Sequence, residues 1–248
     1  MIETLYIEQA VATHSRVREI SARFPHANQV MCERYGAVFN RKSQNFRLQK
    51  KSPSLILARK HDNHVLATPE GYGIGGSNNY YFSHMLNCIY DCRYCFLQGM
   101  YRSAHYVLFV NYDDFFSAMD AKLMTHEGED VWFFSGYDCD SLALDPLTGF
   151  AQHLLSYLET RPHAMVELRT KSTQIRALLG QAPLSNVIVA FSLTPEPAAV
   201  ALEHKTPSVA TRLSAMTPLA ANGWRLGLRF APLRPEVRFY NQHHALVE

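Results

Sequence analysis

Three cysteines lie close together near the middle of the chain, at Cys88, Cys92 and Cys95. Their C-x3-C-x2-C spacing predicts a 4Fe–4S cluster, because one short loop can wrap a face of the cubane and bind three of its irons. Three protein ligands leave the fourth iron open. An open iron can chelate S-adenosylmethionine. One electron then splits a carbon–sulfur bond and releases a deoxyadenosyl radical, chemistry of the cofactor that the protein has to orient.

Zinc is the main alternative to an iron–sulfur cluster. His84 precedes the three cysteines and would complete a set of four zinc ligands with them. Such zinc sites usually draw on two separated ligand pairs, whereas here four ligands would crowd one short segment. Two further cysteines, Cys32 and Cys139, bring the total to five. An odd number of cysteines, three of which are clustered, favours metal or redox chemistry over a disulfide framework.

The elements that must position the cysteine loop alternate between strand and helix from residue 80 onward. Such alternation predicts a parallel sheet with helical crossovers, in which the loop follows the first strand. We expect Pro218 to kink or split the last helix. The predicted strands cover 80–86, 130–136, 164–170, 186–194 and 224–231, and the predicted helices cover 147–159, 173–179 and 208–221.

Polar side chains alternate with apolar ones in two of these strands. A doubly wound sheet buries both faces of its strands, so strands with one polar face favour a barrel with helices outside and a large polar ligand inside. The alternative is that Glu167 and Arg169 only pair with neighbours in the interior. The polar inner face consists of Glu167, Arg169 and Lys171 in one strand and of Arg225 and Arg229 in the last.

Residues 1–60 are predicted to form a small α/β unit and a basic loop, separate from a barrel domain over 61–248. The unit has strands over 4–7 and 29–33 and a helix over 14–24. Its basic loop is interpreted either as a solvated face or as a phosphate-binding patch. The basic residues are Arg41, Lys42, Arg47, Lys50, Lys51, Arg59 and Lys60.

A glycine-rich run over 71–76 has the G-x-G-x-x-G spacing of a dinucleotide-binding site. That function requires a helix after the glycines, because the helix N-terminus binds the pyrophosphate. An aromatic strand follows instead, so we expect a flexible turn that leads into the strand.

Composition limits the class of protein. A chain of 248 residues with 47% hydrophobic residues can bury a sizeable core, and a net charge of +2 does not by itself imply nucleic-acid binding. The first residues show no secretory signal pattern, and no long run is wholly apolar. We therefore expect a cytoplasmic protein with no membrane partner.

The cysteine loop, with Tyr94 directly before its third cysteine, is similar to the signature of the radical S-adenosylmethionine superfamily. Over residues 53–232 the sequence also resembles the spore photoproduct lyase family, with motifs in the order of that family. The motifs lie at residues 95–98, Asp140, 145–148, 170–171, 191–192, Glu203, 206–208, 212–213, Gly223, 226–227 and 231–232.

This resemblance implies a fold, a reaction and partners. The fold is α/β, a partial (β/α)6 barrel of the TIM type. The reaction is abstraction of hydrogen by the deoxyadenosyl radical from a thymine dimer in DNA, which then opens to two thymines. Damaged DNA and an external electron donor such as flavodoxin or ferredoxin are the implied partners. By position, the cluster ligands are Cys88, Cys92 and Cys95, the contacts to S-adenosylmethionine are Lys171 and Ser192, and Tyr94 lies in the path that returns hydrogen.

Two positions depart from the family's pattern. Phe96 stands where the lyases have a second redox tyrosine, and Tyr137 stands where they have a hydrogen-donating cysteine. Cys139, two residues later, is therefore predicted as the donor with Tyr137 as its relay; the alternative is that Cys139 is a small buried hydrophobic residue. The chain also ends at Glu248 after five predicted barrel strands. We expect a barrel truncated before the sixth strand and before the family's DNA-contacting hairpin.

These departures leave the substrate open. One alternative is a radical S-adenosylmethionine enzyme that acts on a nucleoside, a tRNA base or a peptide. Another is a metal-binding or nucleic-acid-binding module without turnover. Release of deoxyadenosine, measured with and without damaged DNA, distinguishes the three hypotheses.

Overall fold

A computed structural model describes residues 2–231, in which two sheets of mainly parallel strands pack against helices. The strands are β1 (Thr4–Glu8), β2 (Asn28–Cys32), β3 (Leu55–Ala58), β4 (Leu66–Ala67), β5 (Asn78–Phe82), β6 (Met85–Leu86), β7 (Asp91–Cys92), β8 (Tyr106–Phe109), β9 (Val131–Ser135), β10 (Ala164–Thr170), β11 (Val187–Leu193), β12 (Glu203–His204) and β13 (Arg225–Phe230). The helices are α1 (Ser15–Ala22), α2 (Phe46–Gln49), α3 (Leu97–Met100), α4 (Tyr112–Thr125), α5 (Asp145–Thr148), α6 (Phe150–Leu158), α7 (Arg176–Leu179), α8 (Glu196–Leu202) and α9 (Val209–Ala221).

The larger sheet has the strand order β13-β11-β10-β9-β5-β4. The five strands from β5 to β13 are parallel, and the short β4 is antiparallel to β5. These five strands are the predicted partial barrel; the bounds predicted for β10 are matched, and the others differ by a few residues. The predicted truncation after the fifth strand concerns residues 232–248, which lie outside the described residues.

One predicted strand is divided between the two sheets. Strand β5 ends at Phe82, and the chain then forms β6, which pairs antiparallel with β8 in the smaller sheet. Between them, Ser83 Oγ donates a hydrogen bond to Asp138 Oδ2 at 2.6 Å and so fixes the turn to the loop after β9. The single strand predicted over 80–86 is therefore wrong beyond residue 82.

The smaller sheet has the order β2-β1-β3-β8-β6 and takes its strands from both sides of residue 60. The domain boundary predicted there stays a prediction. Strands β1 and β2 and helix α1 agree with the predicted N-terminal elements to within two residues. The sequence does not predict β3 and β8, because both are four-residue runs with every side chain buried and lack the alternation of a half-buried strand.

Helices α4, α6, α7 and α9 pack on the larger sheet and share its apolar core. The helix predicted over 147–159 divides into α5 and α6 at Gly149, whose φ of 59° favours glycine. Helix α9 continues through Pro218, so the expected split is absent. No helix within residues 2–231 is long and apolar enough to cross a membrane. The buried face of α6 contains Phe150, Leu154, Tyr157 and Leu158.

Candidate active site

A pocket of about 340 Å³ lies at the carboxyl ends of the parallel strands. Lys171 follows β10 directly, Ser192 lies near the end of β11, and Tyr137 comes two residues after β9. Catalytic residues of barrels gather at this end of the strands. All eight predicted site residues line the pocket: Cys88, Cys92, Cys95, Tyr94, Tyr137, Cys139, Lys171 and Ser192.

The cysteine loop is fixed at both ends. It leaves β6 at Asn87, whose φ of 68° lies in the left-handed region that asparagine tolerates better than most residues. The Asn87 side-chain amide donates hydrogen bonds to the carbonyls of Ser103 and His105 at 2.7 and 2.8 Å. At the other end, β7 pairs with β12 so that Cys92 lies opposite Glu203. These contacts connect the loop to the chain at Ser103 and His105 and to β12.

Burial controls the ionisation of the three clustered thiols. It raises the pKa of Cys92 to about 11 and also raises the pKa values of Cys88 and Cys95. The positive charge of Lys171 acts in the opposite direction on Cys92 and Cys95. Stable thiolates here need additional positive charge, which a bound metal centre supplies as it deprotonates its ligands. Three thiols on one pocket therefore fit the predicted cluster.

His84 does not join the cysteines. Its buried ring stacks on Phe150 with centroids 3.8 Å apart, it is not among the residues that line the pocket, and burial lowers its pKa to about 3. Among residues 2–231, no three His, Cys, Asp or Glu side chains are arranged to hold a single metal ion. Zinc ligands must converge on one point, whereas the thiolates of a cubane bind separate irons. His84 therefore does not complete a set of four zinc ligands with the three cysteines.

Glu203 lies at the centre of a buried network beside the pocket. Its carboxylate accepts hydrogen bonds from the hydroxyls of Tyr94 and Thr194. It also pairs with the buried Arg212 and with Lys171, whose Nζ lies 3.7 Å from Oε1. Burial raises the pKa of Glu203, but these charged and hydroxyl partners outweigh burial and hold the pKa below its usual range. Burial and the nearby carboxylate raise the pKa of Tyr94, which therefore keeps its O–H.

Asp140, in the loop after β9, holds the end of β10. Its Oδ2 accepts a hydrogen bond from the Lys171 backbone N–H at 2.7 Å, and its Oδ1 accepts from Thr170 Oγ1 at 2.6 Å. The same Oδ1 accepts from the backbone N–H groups of Leu142 and Ala143. Asp140 thus fixes the point at which Lys171 enters the pocket. Spacing alone does not reveal this role, because Asp140 stands out only as part of a family motif.

Cys139 and Tyr137 have different surroundings within the pocket. Strand β9 ends at Ser135 and Gly136 has a φ of 83°, so the strand does not continue to Tyr137 and Cys139. The Tyr137 ring packs on that of Tyr81, with centroids 4.4 Å apart. Cys139 packs in an apolar cluster, and burial raises the pKa of its thiol, which therefore keeps its proton.

Charged side chains pair inside the barrel. Arg169 Nε lies 2.9 Å from Glu167 Oε1, and Arg229 pairs with the same carboxylate. These contacts show the pairing that the alternative interpretation expected, but pairing is not the only role of this face. Arg169 and Lys171 also line the pocket, so the same face contributes to the site. Arg225 is exposed and lies outside this network.

Tyr72 reaches the pocket from the glycine-rich run and was not predicted as a site residue. The Arg169 guanidinium lies 4.8 Å from its ring centroid, and the Tyr137 ring lies edge-on to it at 5.5 Å. The run is the expected turn before a strand, which begins at β5. Gly76 is required there, because a Cβ would lie 2.0 Å from Trp132 Cδ1. The turn's dense packing, and not a dinucleotide site, accounts for this glycine.

The basic loop does not form one surface patch. Lys50 is buried, and Lys60 Nζ lies 5.3 Å from the ring centroid of Phe109. Arg59 pairs with Asp114 at 2.9 Å. The interpretation of Lys50 as an exposed phosphate contact is wrong, because the residue is buried, whereas Lys60 is half-buried against aromatic rings and its role stays a prediction. The exposed members of the loop are Arg41, Lys42, Arg47, Lys51 and Arg59.

Comparison with known proteins identifies the family of the chain. Residues 74–248 match the family model for spore photoproduct lyase. The spore photoproduct lyase of Geobacillus sp. (strain Y412MC61) is 25% identical over 147 residues, which are 59% of this chain and 43% of that relative, less than half of its length.

Solved structures share the fold. Spore photoproduct lyase complexed with dinucleoside spore photoproduct superposes with a TM-score of 0.86 at 18% identity, covering 99% of this chain and 72% of that chain. A double mutant of the lyase with bound AdoMet and dinucleoside spore photoproduct gives the same TM-score of 0.86, identity of 18% and coverage of 99% and 72%. Because the family model matches well over half of the sequence, the chain belongs to the spore photoproduct lyase family.

Proposed function

We propose that this chain is a radical S-adenosylmethionine enzyme that opens thymine photoproducts in DNA. The convergence of the three clustered cysteines with Lys171 and Ser192 on one pocket, at the carboxyl ends of the barrel strands, supports this most directly. Family membership adds the class of reaction.

The cysteine loop and the two strands beside it would bind the cofactors. Cys88, Cys92 and Cys95 would each bind one iron of a 4Fe–4S cluster. When bound, the cluster and S-adenosylmethionine supply one-electron cleavage of a carbon–sulfur bond. Lys171 would bind carboxylate or ribose oxygens of S-adenosylmethionine as a charged donor, and Ser192 would add a hydroxyl contact. The loop after β9 holds Lys171 in position for this contact.

Three side chains on the pocket are proposed to return hydrogen to the product. Cys139 keeps its proton, and a thiol is a good hydrogen-atom donor because its S–H bond is weak. Tyr94 keeps its O–H beside Glu203, and Tyr137 lines the same pocket. Cys139 is the proposed donor, with the two tyrosines as relays.

Aromatic rings around the pocket support a nucleobase as substrate. Phe96 is 53% exposed, and its ring lies 5.6 Å from that of Tyr137, which also contacts Tyr72. Such rings stack on bases without sequence preference. Spore photoproduct is the first lesion to test, because it is bound in solved structures of this fold. Flavodoxin or ferredoxin is the proposed electron donor, and a reducing cytoplasm, the proposed location, would preserve the free thiols.

Anaerobic reconstitution tests the proposed function. The protein is loaded with iron and sulfide and incubated with S-adenosylmethionine, a reductant, and DNA with or without spore photoproduct. We expect about four irons per chain, release of deoxyadenosine, and recovery of thymine from the damaged DNA. Deoxyadenosine release without repair would indicate a nucleoside, tRNA base or peptide substrate. A bound cluster without any deoxyadenosine release would indicate a module without turnover.

Substitution of the cysteines tests the cluster itself. Cys88→Ala, Cys92→Ala and Cys95→Ala should each abolish the reducible cluster, because each removes one iron ligand. Cys32→Ala is the matched control, since Cys32 ends β2 and is not among the residues that line the pocket. A colourless wild-type protein with one tightly bound zinc would contradict the proposal.

A further inference from the structure

Lys50 is a buried lysine that contacts the cysteine loop. Its side chain lines the pocket together with the three clustered cysteines, and the residue is 8% exposed. The ammonium Nζ donates hydrogen bonds to the backbone carbonyls of Cys88 at 2.8 Å and of Tyr90 at 2.9 Å. Both carbonyls belong to the segment between the first and second cluster cysteines. Lys50 therefore holds the part of the loop that must wrap the cluster.

Helix α2 brings Lys50 to this position. The helix begins after Asn45, whose Oδ1 accepts a hydrogen bond from the Leu48 N–H at 3.0 Å. Gln49 Oε1 accepts from the Ala104 N–H at 2.9 Å and ties the helix to the chain beyond the cysteine loop. The family match begins at residue 74, so family motifs do not cover Lys50.

The charge of Lys50 is not cancelled by its hydrogen-bond partners, because both acceptors are neutral carbonyls. Burial lowers the pKa of Lys50, and the nearby Lys205 acts in the same direction. The acidic groups that oppose this effect are Cys88, Asp91 and Cys95, two of which are cluster cysteines. One-electron reduction of a cluster adds negative charge, and a nearby cation stabilises the reduced form, most strongly where water is excluded. Net charge and hydrogen bonding are the factors through which proteins set cluster potentials.

We propose that Lys50 is a positioning residue of the cluster site, which holds the cysteine loop through two carbonyls and favours reduction of the cluster through its positive charge. This inference rests on the proposed 4Fe–4S cluster. It assigns to the N-terminal part of the chain a direct contribution to the redox chemistry of the barrel.

A redox titration of reconstituted Lys50→Met, followed by the electron paramagnetic resonance signal of the reduced cluster, tests the proposal. We expect reduction to become about tenfold less favourable, a shift of about 59 mV to lower potential for one electron. Lys50→Arg, which keeps the charge, should stay near the wild-type potential. Lys51→Met is the matched control, because it removes the same charge from an exposed neighbour and should leave the potential unchanged.

The outcomes separate this proposal from the proposed function. A wild-type protein that binds no cluster contradicts the proposed function. A Lys50→Met protein with a full cluster and the wild-type potential overturns the role of Lys50. Loss of iron from Lys50→Met, while the iron-free variant unfolds at the wild-type temperature, supports the loop-holding role. Where Lys50→Met fails to fold, Lys50→Gln is titrated in its place, and a wild-type potential in that variant likewise overturns the proposal.

Discussion

Lys171 lies near the carboxylate of Glu203, which does not occupy all of the hydrogen-bond donors of its ammonium group. Its Nζ lies 3.7 Å from Glu203 Oε1, which is close enough for an ion pair but longer than a hydrogen bond. Glu203 also has Arg212 as a partner, so it does not depend on Lys171 alone. The ammonium therefore retains donors that can bind a ligand in the pocket.

Removal of the Lys171 ammonium should weaken cofactor binding. A hydrogen bond to a charged group contributes roughly 1.5–3 kcal/mol, so we expect Lys171→Ala to bind S-adenosylmethionine about 10- to 100-fold more weakly. Iron content should not change, because Lys171 is not a cluster ligand. Calorimetric titration of the reconstituted protein measures the affinity. Lys122→Ala, in α4, is the control, and an unchanged affinity in Lys171→Ala would remove Lys171 from the cofactor site.

The Cys139 thiol should determine how the product radical is quenched. Cys139→Ala should still cleave S-adenosylmethionine, because Cys139 is not a proposed cofactor contact. Without the thiol, the product radical should form misquenched adducts in place of clean repaired thymines, which chromatography of the DNA products can resolve. Wild-type products from Cys139→Ala would exclude Cys139 as donor, and Tyr137→Phe would then be tested next. Cys32→Ala provides the matched cysteine control.

Glu203 connects three elements of the fold. It lies in β12, pairs with Arg212 of α9, and accepts a hydrogen bond from Tyr94 of the cysteine loop. Arg212 is 0% exposed. Breaking a buried ion pair leaves the remaining charge uncompensated, at a cost of about 3–5 kcal/mol. The position of the cysteine loop therefore depends on a charge pair in a distant part of the chain.

Loss of the Glu203 charge should destabilise the iron-free protein. We expect Glu203→Gln to lower the free energy of unfolding in urea by about 3 kcal/mol at neutral pH. Asp120→Asn is the matched control: its pair with Arg161 is about one-third exposed on each side chain, and such pairs contribute about 0–1 kcal/mol. Equal losses in the two variants would show that burial does not strengthen the Glu203 pair.

The effect of Glu203→Gln should also depend on pH. The partners of Glu203 hold its pKa below the usual range. The stabilisation of the fold by the Glu203 carboxylate is therefore present above the unfolded-state pKa and is lost as pH falls through the folded-state pKa. The stability difference between wild type and Glu203→Gln should therefore be constant near neutral pH and shrink in acid. A difference that grows in acid would contradict this assignment of charge.

Strands and helices were predicted correctly where the pattern of polar and apolar residues agreed with the turn residues on either side. Strand β10 has alternating polar and apolar residues, and the predicted bounds match those observed. Strands β3 and β8 are short and wholly buried, so periodicity could not separate them from helix or loop. Helix α4 was not predicted either, but for a different reason. Its residues Tyr112, Phe115 and Met119 are buried at helical spacing, so the sequence contained the periodic signal of an amphipathic helix.

At the scale of the whole molecule, the site combines a local motif with distant contributions. The three cysteines could be predicted because their chemistry depends on spacing within one loop. Lys50 could not, because it lies 38 residues before Cys88 and its basic character fits a solvated face equally well. Asp140 acts through backbone N–H groups, which carry no sequence signal. Tertiary packing alone brings these groups to the pocket.

One exposed basic segment borders this pocket. Phe46 and Lys50, at the two ends of α2, both line it, whereas Arg47 between them is exposed. Arg41 and Lys42, a few residues earlier, are also exposed. Under the proposed function, DNA that delivers a lesion to the pocket would pass Arg47, and the positive charge of this side chain can neutralise a phosphate.

Salt dependence of DNA binding should report these charges. Each phosphate contact releases counterions, and log K falls with log salt with a slope of about 0.9 per contact on B-DNA. We expect Arg47→Gln to reduce the slope by about 0.9, and the triple change at Arg41, Lys42 and Arg47 to reduce it further, with iron content unchanged. Arg18→Gln, exposed on α1, is the matched control and should leave the slope as in wild type. An unchanged slope in the triple variant would mean that DNA approaches the pocket from another side. DNA binding by the wild-type protein that does not depend on salt would favour a small-molecule or peptide substrate.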